Sequence, residues 1–186
     1  MGIIAVAPYK IRRAKAGDAA GVAQVHVQAW QECYGGILPP EVIQQRPFDI
    51  RLKQRMDLYA RPRTDWLYLV LCDEDDRPVG FCDAKLPGPG DEPGTGEFLA
   101  IYLLASAGGQ GNGRQLMRRA AQWLIEHGCQ RAVVDVLADN HAARTFYQRL
   151  GAVEVGATTC KVQVLAEFDS VTYKFNSFSK LLGPPS

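Results

Sequence analysis

Residues 97–126, EFLAIYLLASAGGQGNGRQLMRRAAQWLIE, decide the fold. Glu97 to Leu104 is an apolar run of strand length. Residues 108–113, GGQGNG, hold four glycines in six positions and break that run. Leu116, Met117, Ala120, Ala121 and Leu124 then recur at helical spacing, and Gly128 stops the helix. The reading is strand, glycine-rich turn, helix. A helix N-terminus carries four N–H groups without intrahelical partners and the positive end of the dipole. Glycines in front of it let the backbone approach a ligand closely. The stretch therefore predicts an anion site, for a phosphate or pyrophosphate. Its plain alternative is a flexible loop with a glycine-rich cap.

Working outward, Tyr9 to Lys15 reads as a strand, and Asp18 is placed to cap a helix over Ala20 to Tyr34. Pro39-Pro40 opens a second helical segment, and Phe48 to Ala60 is a further, weaker helix. Trp66 to Cys72 and Pro78 to Leu86 read as a hairpin around the acidic turn 73–76; residues 87–96 form a loop. Beyond the long helix, Arg131 to Leu137 is a strand, and Asp139-Asn140 caps a short helix ending at Gly151. Strands near Ala157 to Leu165 and Ser170 to Phe178 follow. The order is βαα–βββ–αβα–ββ. Hairpins join the middle strands and helices join the later ones, so the fold class is α/β: one mixed sheet, helices on its faces. The domain spans 9–178, with short tails at 1–8 and 179–186.

The chain has 186 residues, 47% apolar and 22% charged, which suits one soluble domain. No apolar run approaches the ~18 residues of a membrane span. No basic segment precedes the short apolar start, so no signal peptide is expected. A net charge of +1 argues for neither a nucleic-acid nor a membrane partner. The five cysteines are widely spaced, with no paired-cysteine motif or Cys/His cluster, so no metal is expected. Buried, reduced thiols in a cytoplasmic protein are the natural reading.

Three phosphate-binding turns compete for residues 108–113. A P-loop needs Lys and a hydroxyl after its last glycine, where Arg114 and Gln115 stand. The dinucleotide fingerprint has different glycine spacing and belongs to the first strand–helix turn. The third, [Q/R]-x-x-G-x-[G/A], matches at Gly111 and Gly113. Residues 140–151, NHAARTFYQRLG, also fit N-x-x-A-x-x-F-Y-x-x-x-G at Asn140, Ala143, Phe146, Tyr147 and Gly151. With both motifs in order, the chain resembles the GNAT superfamily of N-acetyltransferases over most of its length.

That resemblance implies acetyl-CoA as co-substrate and transfer to a primary amine by direct attack, with no metal. The carried-over cofactor-binding residues are Gly108, Gly109, Gln110, Gly111, Asn112, Gly113 and Arg114, chiefly through the amides from 109 to 114. Gly108 replaces the family's Gln or Arg, which removes a side-chain contact and leaves the backbone cradle. Asn140 would cap its helix and offer its amide to pantetheine. The backbones of Ile101 and Leu103 would pair with pantetheine in a splay between strands, and the Leu103 N–H would face the thioester oxygen. Tyr147 would protonate the departing thiolate; packing alone is its other reading. Glu97 is the candidate base, sharing a face with Leu99, Ile101 and Leu103 by two-residue alternation. A solvated strand-end glutamate is the alternative, and Asp83 and Asp135 are weaker candidates.

The acceptor side is less readable. Residues 29–40, AWQECYGGILPP, resemble a string found in many uncharacterised bacterial members of the family. Trp30 and Tyr34 share a helix face and either line the amine pocket or pack in the core. The acceptor is left as a small-molecule or peptide amine, and monomer and homodimer both stay open. A non-catalytic acyl-CoA-binding domain and an interaction domain are the rival functions.

Overall fold

The computed structural model describes residues 9–61, 63–163 and 166–183, with the backbone alone over 158–163 and 166–167, and residue patterning divides these described residues into seven strands and six α-helices. Residues 1–8 and 184–186, the expected strand end at Leu165 and the Cys160 thiol lie outside the described residues. β1 (Lys10–Arg13) leads to α1 (Ala19–Tyr34), the five-residue α2 (Pro40–Gln44) and α3 (Phe48–Ala60). β2 (Trp66–Cys72), β3 (Pro78–Lys85) and β4 (Thr95–Leu103) form the meander. α4 (Asn112–Glu126), β5 (Arg131–Leu137) and α5 (His141–Arg149) follow, then β6 (Val153–Gln163), β7 (Ala166–Phe175) and α6 (Ser179–Leu182).

One sheet results, in the order β1-β2-β3-β4-β5-β7-β6. Every neighbouring pair is antiparallel except β4 and β5, which run parallel. That parallel pair follows from the intervening helix α4, which carries the chain back across the face. α4 lays Leu116, Met117, Ala120 and Leu124 onto one face of the sheet, where they are fully buried. Gly96 allows this approach: a Cβ there would lie 2.5 Å from Leu124. Val22 and Val25 of α1 cover the other face, against Val70, Cys72 and Phe81.

Three local expectations change, and α3, found at its expected bounds, buries an unexpected face. Asp18 does not cap α1; its carboxylate accepts the Lys15 N–H at 2.8 Å and a two-pronged contact from Arg12 at 2.7 and 2.9 Å. A charged partner outcompetes the neutral helix N–H groups for a short carboxylate. The last hairpin starts at Val153, not Ala157, because β7 pairs with it along its whole length. β6 lies at the sheet's edge, so Val153 and Val155 stay exposed and give no burial pattern to read. Leu181, assigned to a tail, is fully buried on α6 within the main core. Finally, α3 is turned against its composition: Ile50 and Met56 are 44% and 56% exposed, while Arg51 and Arg55 are 5% and 4% exposed.

Candidate active site

β4 and β5 are in register at only three positions: Thr95 with Arg131, Gly96 with Ala132, Glu97 with Val133. Past Glu97 they part. The divergence coincides with a bulge, where Asp83 and Ala84 of β3 face Ala100 and Phe98, leaving Leu99 over. Leu104 N–H donates to the Val79 carbonyl on the β3 side. By alternation, the N–H and C=O groups of Leu103 and Ile101 turn toward the gap. The splay thus leaves a short ladder of backbone groups beside open space.

At the foot of this gap lies the glycine-rich turn. Gly109 and Gly111 have φ of +71° and +82°, conformations that side chains with a Cβ rarely adopt. Nothing occupies the Cβ position at either, so ligand atoms can come against the backbone there. Gly111 sits at the N-cap of α4, and the amides of Asn112, Gly113 and Arg114 form its first turn. The side chains of this stretch hold the turn. Asn112 is buried and donates to the Ala107 carbonyl at 3.0 Å, and Gln110 donates to the Ser106 carbonyl at 3.1 Å. Arg114 reaches the Lys180 carbonyl at 2.9 Å, and the Gly108 N–H is spent on Ala105. A Cβ on Gly113 would stand 3.3 Å from the Phe146 ring, so the two sequence motifs pack directly on each other.

α5 supplies the other wall. Asn140 caps it, its Oδ1 accepting the Ala143 N–H at 3.1 Å. That fixes Tyr147, which is 5% exposed, between Phe146 and Tyr173 at ring distances of 5.4 and 6.2 Å. Burial above all, then the neighbouring Tyr34, pushes the Tyr147 phenol well above its ordinary range. Tyr102 of β4 is also raised, by burial and then by Tyr34, whose hydroxyl lies 3.3 Å from its own. Burial thus favours the protonated phenol at both Tyr102 and Tyr147, with Tyr34 neighbouring each.

On the opposite face of the sheet a cavity of about 310 Å³ opens between α1, α3 and the splayed strands. Trp30 and Tyr34 line it together with Glu97, so three of the expected residues meet here. Trp30 packs edge-on to Tyr34 at 4.7 Å, and His26 stacks on Tyr102 at 5.0 Å. Arg46, Arg51, Asp135 and Ser170 complete the polar lining.

Glu97 does not share a face with Ile101 and Leu103, as alternation alone predicts. The bulge at Leu99 inverts the pattern, so Phe98, Ile101 and Leu103 pack on the α4 side while Ala100 and Tyr102 meet α1. Glu97 is 30% exposed at its side chain and pairs with Lys85, Nζ to Oε2 at 2.8 Å. That contact comes first among the causes that raise Lys85. Asp83 is buried in an ion pair with Arg55 at 2.7 Å, away from the cavity lining. Asp135, on the cavity's rim, accepts the Thr172 hydroxyl.

Sequence reading missed Tyr102, His26, Arg46 and Arg51. Tyr102 was hidden in an apolar strand, where the bulge decides which face it takes. For Arg51 one signal existed: Arg51 and Arg55 are one helical turn apart on a helix whose other faces carry Ile50, Leu52 and Met56. Among the described residues no group of three or more side chains could hold a metal ion, and no helix is long and apolar enough to cross a membrane.

Comparison with known proteins accords with this geometry. A profile of the acetyltransferase (GNAT) family matches residues 24–152. The uncharacterised N-acetyltransferase YuaI of Bacillus subtilis (strain 168) is 30% identical over 138 residues, covering 74% of this chain and 76% of its own. The mycothiol acetyltransferase of Arthrobacter sp. (strain FB24) is 34% identical over 102 residues, 52% of this chain; the match spans about a third of that relative, 32% of its length. Among solved structures, PaiA N-acetyltransferase of Thermoplasma acidophilum, in complex with coenzyme A, superposes with a TM-score of 0.70. It is 19% identical, and the match covers 90% of this chain and 99% of that one.

Proposed function

The chain belongs to the acetyltransferase (GNAT) family, and on that premise we propose that it transfers an acetyl group from acetyl-CoA to a primary amine within one ternary complex. The observation that carries this reading is the splay beyond Glu97, with the Gly109–Gly111 cradle at its foot and Tyr147 beside it. The residues fit the co-substrate. Pyrophosphate would take the amides from 109 to 114, pantetheine the unpaired backbone of Ile101 and Leu103, and the thioester would reach the cavity rim.

In this reading the amine nitrogen attacks the acetyl carbon, and the Leu103 N–H stabilises the oxyanion that forms. The C–S bond then breaks, its electron pair leaves on sulfur, and Tyr147 gives that sulfur its hydroxyl proton. Burial keeps Tyr147 protonated beforehand, and it disfavours a bare thiolate in the same place. The attacking nitrogen loses its proton to Glu97, either directly or through water, and Tyr147 recovers a proton from solvent. The Lys85 pair orients Glu97 rather than giving it an apolar setting. The four described cysteines are free thiols, the state kept in a reducing cytoplasm, which is the location we assign.

The test is coenzyme A release and product mass across an amine panel. Tyr147→Phe is expected to lower kcat roughly 10²–10⁴-fold with acetyl-CoA affinity unchanged; equal turnover removes the acid role. Glu97→Gln is expected to lower the rate at neutral pH and to recover part of it as pH rises, since more amine is then unprotonated. A pH-independent deficit removes Glu97 as the base.

A further inference from the structure

We infer that the acceptor amine also carries an acid group, a carboxylate or a phosphonate, held by Arg51 and Arg46. This deepens the acyl-transfer reading and rests on it. The starting point is a difference between two arginines one turn apart on α3. Arg55 donates to Asp83 at 2.7 Å, and each side chain is almost fully buried. Arg51 is buried to the same degree, yet among the described residues no carboxylate lies within 4.0 Å of it, and its Nε has no hydrogen-bond partner. Its guanidinium lies 5.0 Å from the centre of the Trp30 ring, inside the acceptor cavity.

A cation taken out of water without a counter-charge is costly, and proteins seldom leave one so. The sequence places it there at the expense of apolar burial, with Ile50 and Met56 outside. Arg46 lines the same cavity and adds like charge. The surroundings register this: burial and then Arg46 push Arg51 down to about 10, and burial and then Arg51 hold His26 far below its usual range. The missing counter-charge is therefore expected to arrive with the ligand. A guanidinium fork beside an aromatic ring suits a planar carboxylate or a phosphonate.

The cavity is also polar in the other direction. Glu97 and Asp135 stand on the splayed strands, where the thioester would lie, and the arginines stand on the helical side. An acceptor with an amine at one end and an acid at the other matches both ends. A polyamine would set its second cation against Arg51 and Arg46.

The experiment uses the full chain and matched probes: the standard amino acids, their C-terminal amides, 2-aminoethylphosphonate, ethanolamine and spermidine. Initial rates with acetyl-CoA and calorimetric titrations are read together. The expected result is an acid-bearing amine preferred over its neutral partner by about tenfold or more in kcat/KM. Arg51→Gln should abolish that preference, Arg51→Lys should retain part of it, and neither should weaken acetyl-CoA binding. Amino acids against 2-aminoethylphosphonate separates carboxylate from phosphonate. Neutral amines or spermidine matching the acids, or a preference surviving in Arg51→Gln, overturns the inference. Absence of acetyl-CoA binding and of any product overturns the acyl-transfer reading instead. The acid site is then judged by titration alone: acid binding lost in Arg51→Gln supports it, and no binding by any acid overturns it.

Discussion

The two sides of the cleft are built from different material. In the proposed reading the cofactor side is backbone: positive-φ glycines, a helix N-terminus and the unpaired edge of β4, all within the eighteen residues from Glu97 to Arg114 except for the Tyr147 wall. The acceptor side is side chains drawn from α1, the α2–α3 connection, α3, β4, β5 and β7, with residues as far apart as His26 and Ser170. Backbone chemistry is nearly independent of which residues surround it, so a short local pattern suffices to specify it. A pocket of side chains is specified only by the packing that brings distant residues together. One side of this cleft is therefore specified by a local pattern, and the other by the packing of the whole fold.

Charge burial gives the strongest way to break that contrast. If Arg55 is structural and Arg51 waits for a ligand, the same substitution must act differently one turn apart. Arg55→Met strands Asp83 in the core and is expected to cost about 3–5 kcal/mol in urea unfolding. Arg51→Met removes a charge that has no carboxylate partner among the described residues, only the Trp30 ring at 5.0 Å, and is expected to leave stability unchanged or higher. Equal losses at both positions would mean that Arg51 has a structural partner, and the two sides would cease to differ. On the cofactor side, Gly111→Val forces a branched side chain into φ +82° and is expected to weaken acetyl-CoA binding by roughly tenfold or more, for about 1–3 kcal/mol of strain. The fold should persist, because the glycine's Cβ position is open.

A fourth substitution, remote from both sides, calibrates the others. Asp18 is buried, and although burial opposes ionisation, the Arg12 guanidinium and the Lys15 N–H hold its carboxyl below the usual range. A depressed carboxylate contributes stability above its unfolded pKa and loses it as pH falls through the folded value. Asp18→Asn is expected to cost about 1–2 kcal/mol at pH 7, with the gap closing progressively below about pH 4. A gap that is constant with pH would assign the effect to packing rather than charge. Acetyl-CoA affinity should not change.

The same contrast explains what the sequence allowed. The strand–turn–helix around GGQGNG and the cap at Asn140 are local, and the structure builds them where their residues predict. The face taken by Glu97 was not readable. It depends on one extra residue, Leu99, whose bulge is set by the register against β3. Trp30 and Tyr34 could be placed on one helix face, but their meeting with Glu97 needs the whole sheet between them. Asp18 looked like a cap because its competitor, Arg12, acts through a turn of the chain that spacing rules do not weigh. Leu181 looked like a tail because a four-residue helix has no period to detect. Arg51 is the sharpest case: composition places arginine outside, the spacing of Arg51 and Arg55 is a weak signal against that, and the fold shows α3 facing inward with both.

The most direct test of the central claim is calorimetric titration of the purified chain with acetyl-CoA, run beside Gly111→Val. The account predicts a Kd tighter than roughly 100 µM, about −5.5 kcal/mol, and a clear loss in the variant. No heat from folded protein at several temperatures, or equal affinity in the variant, would contradict it.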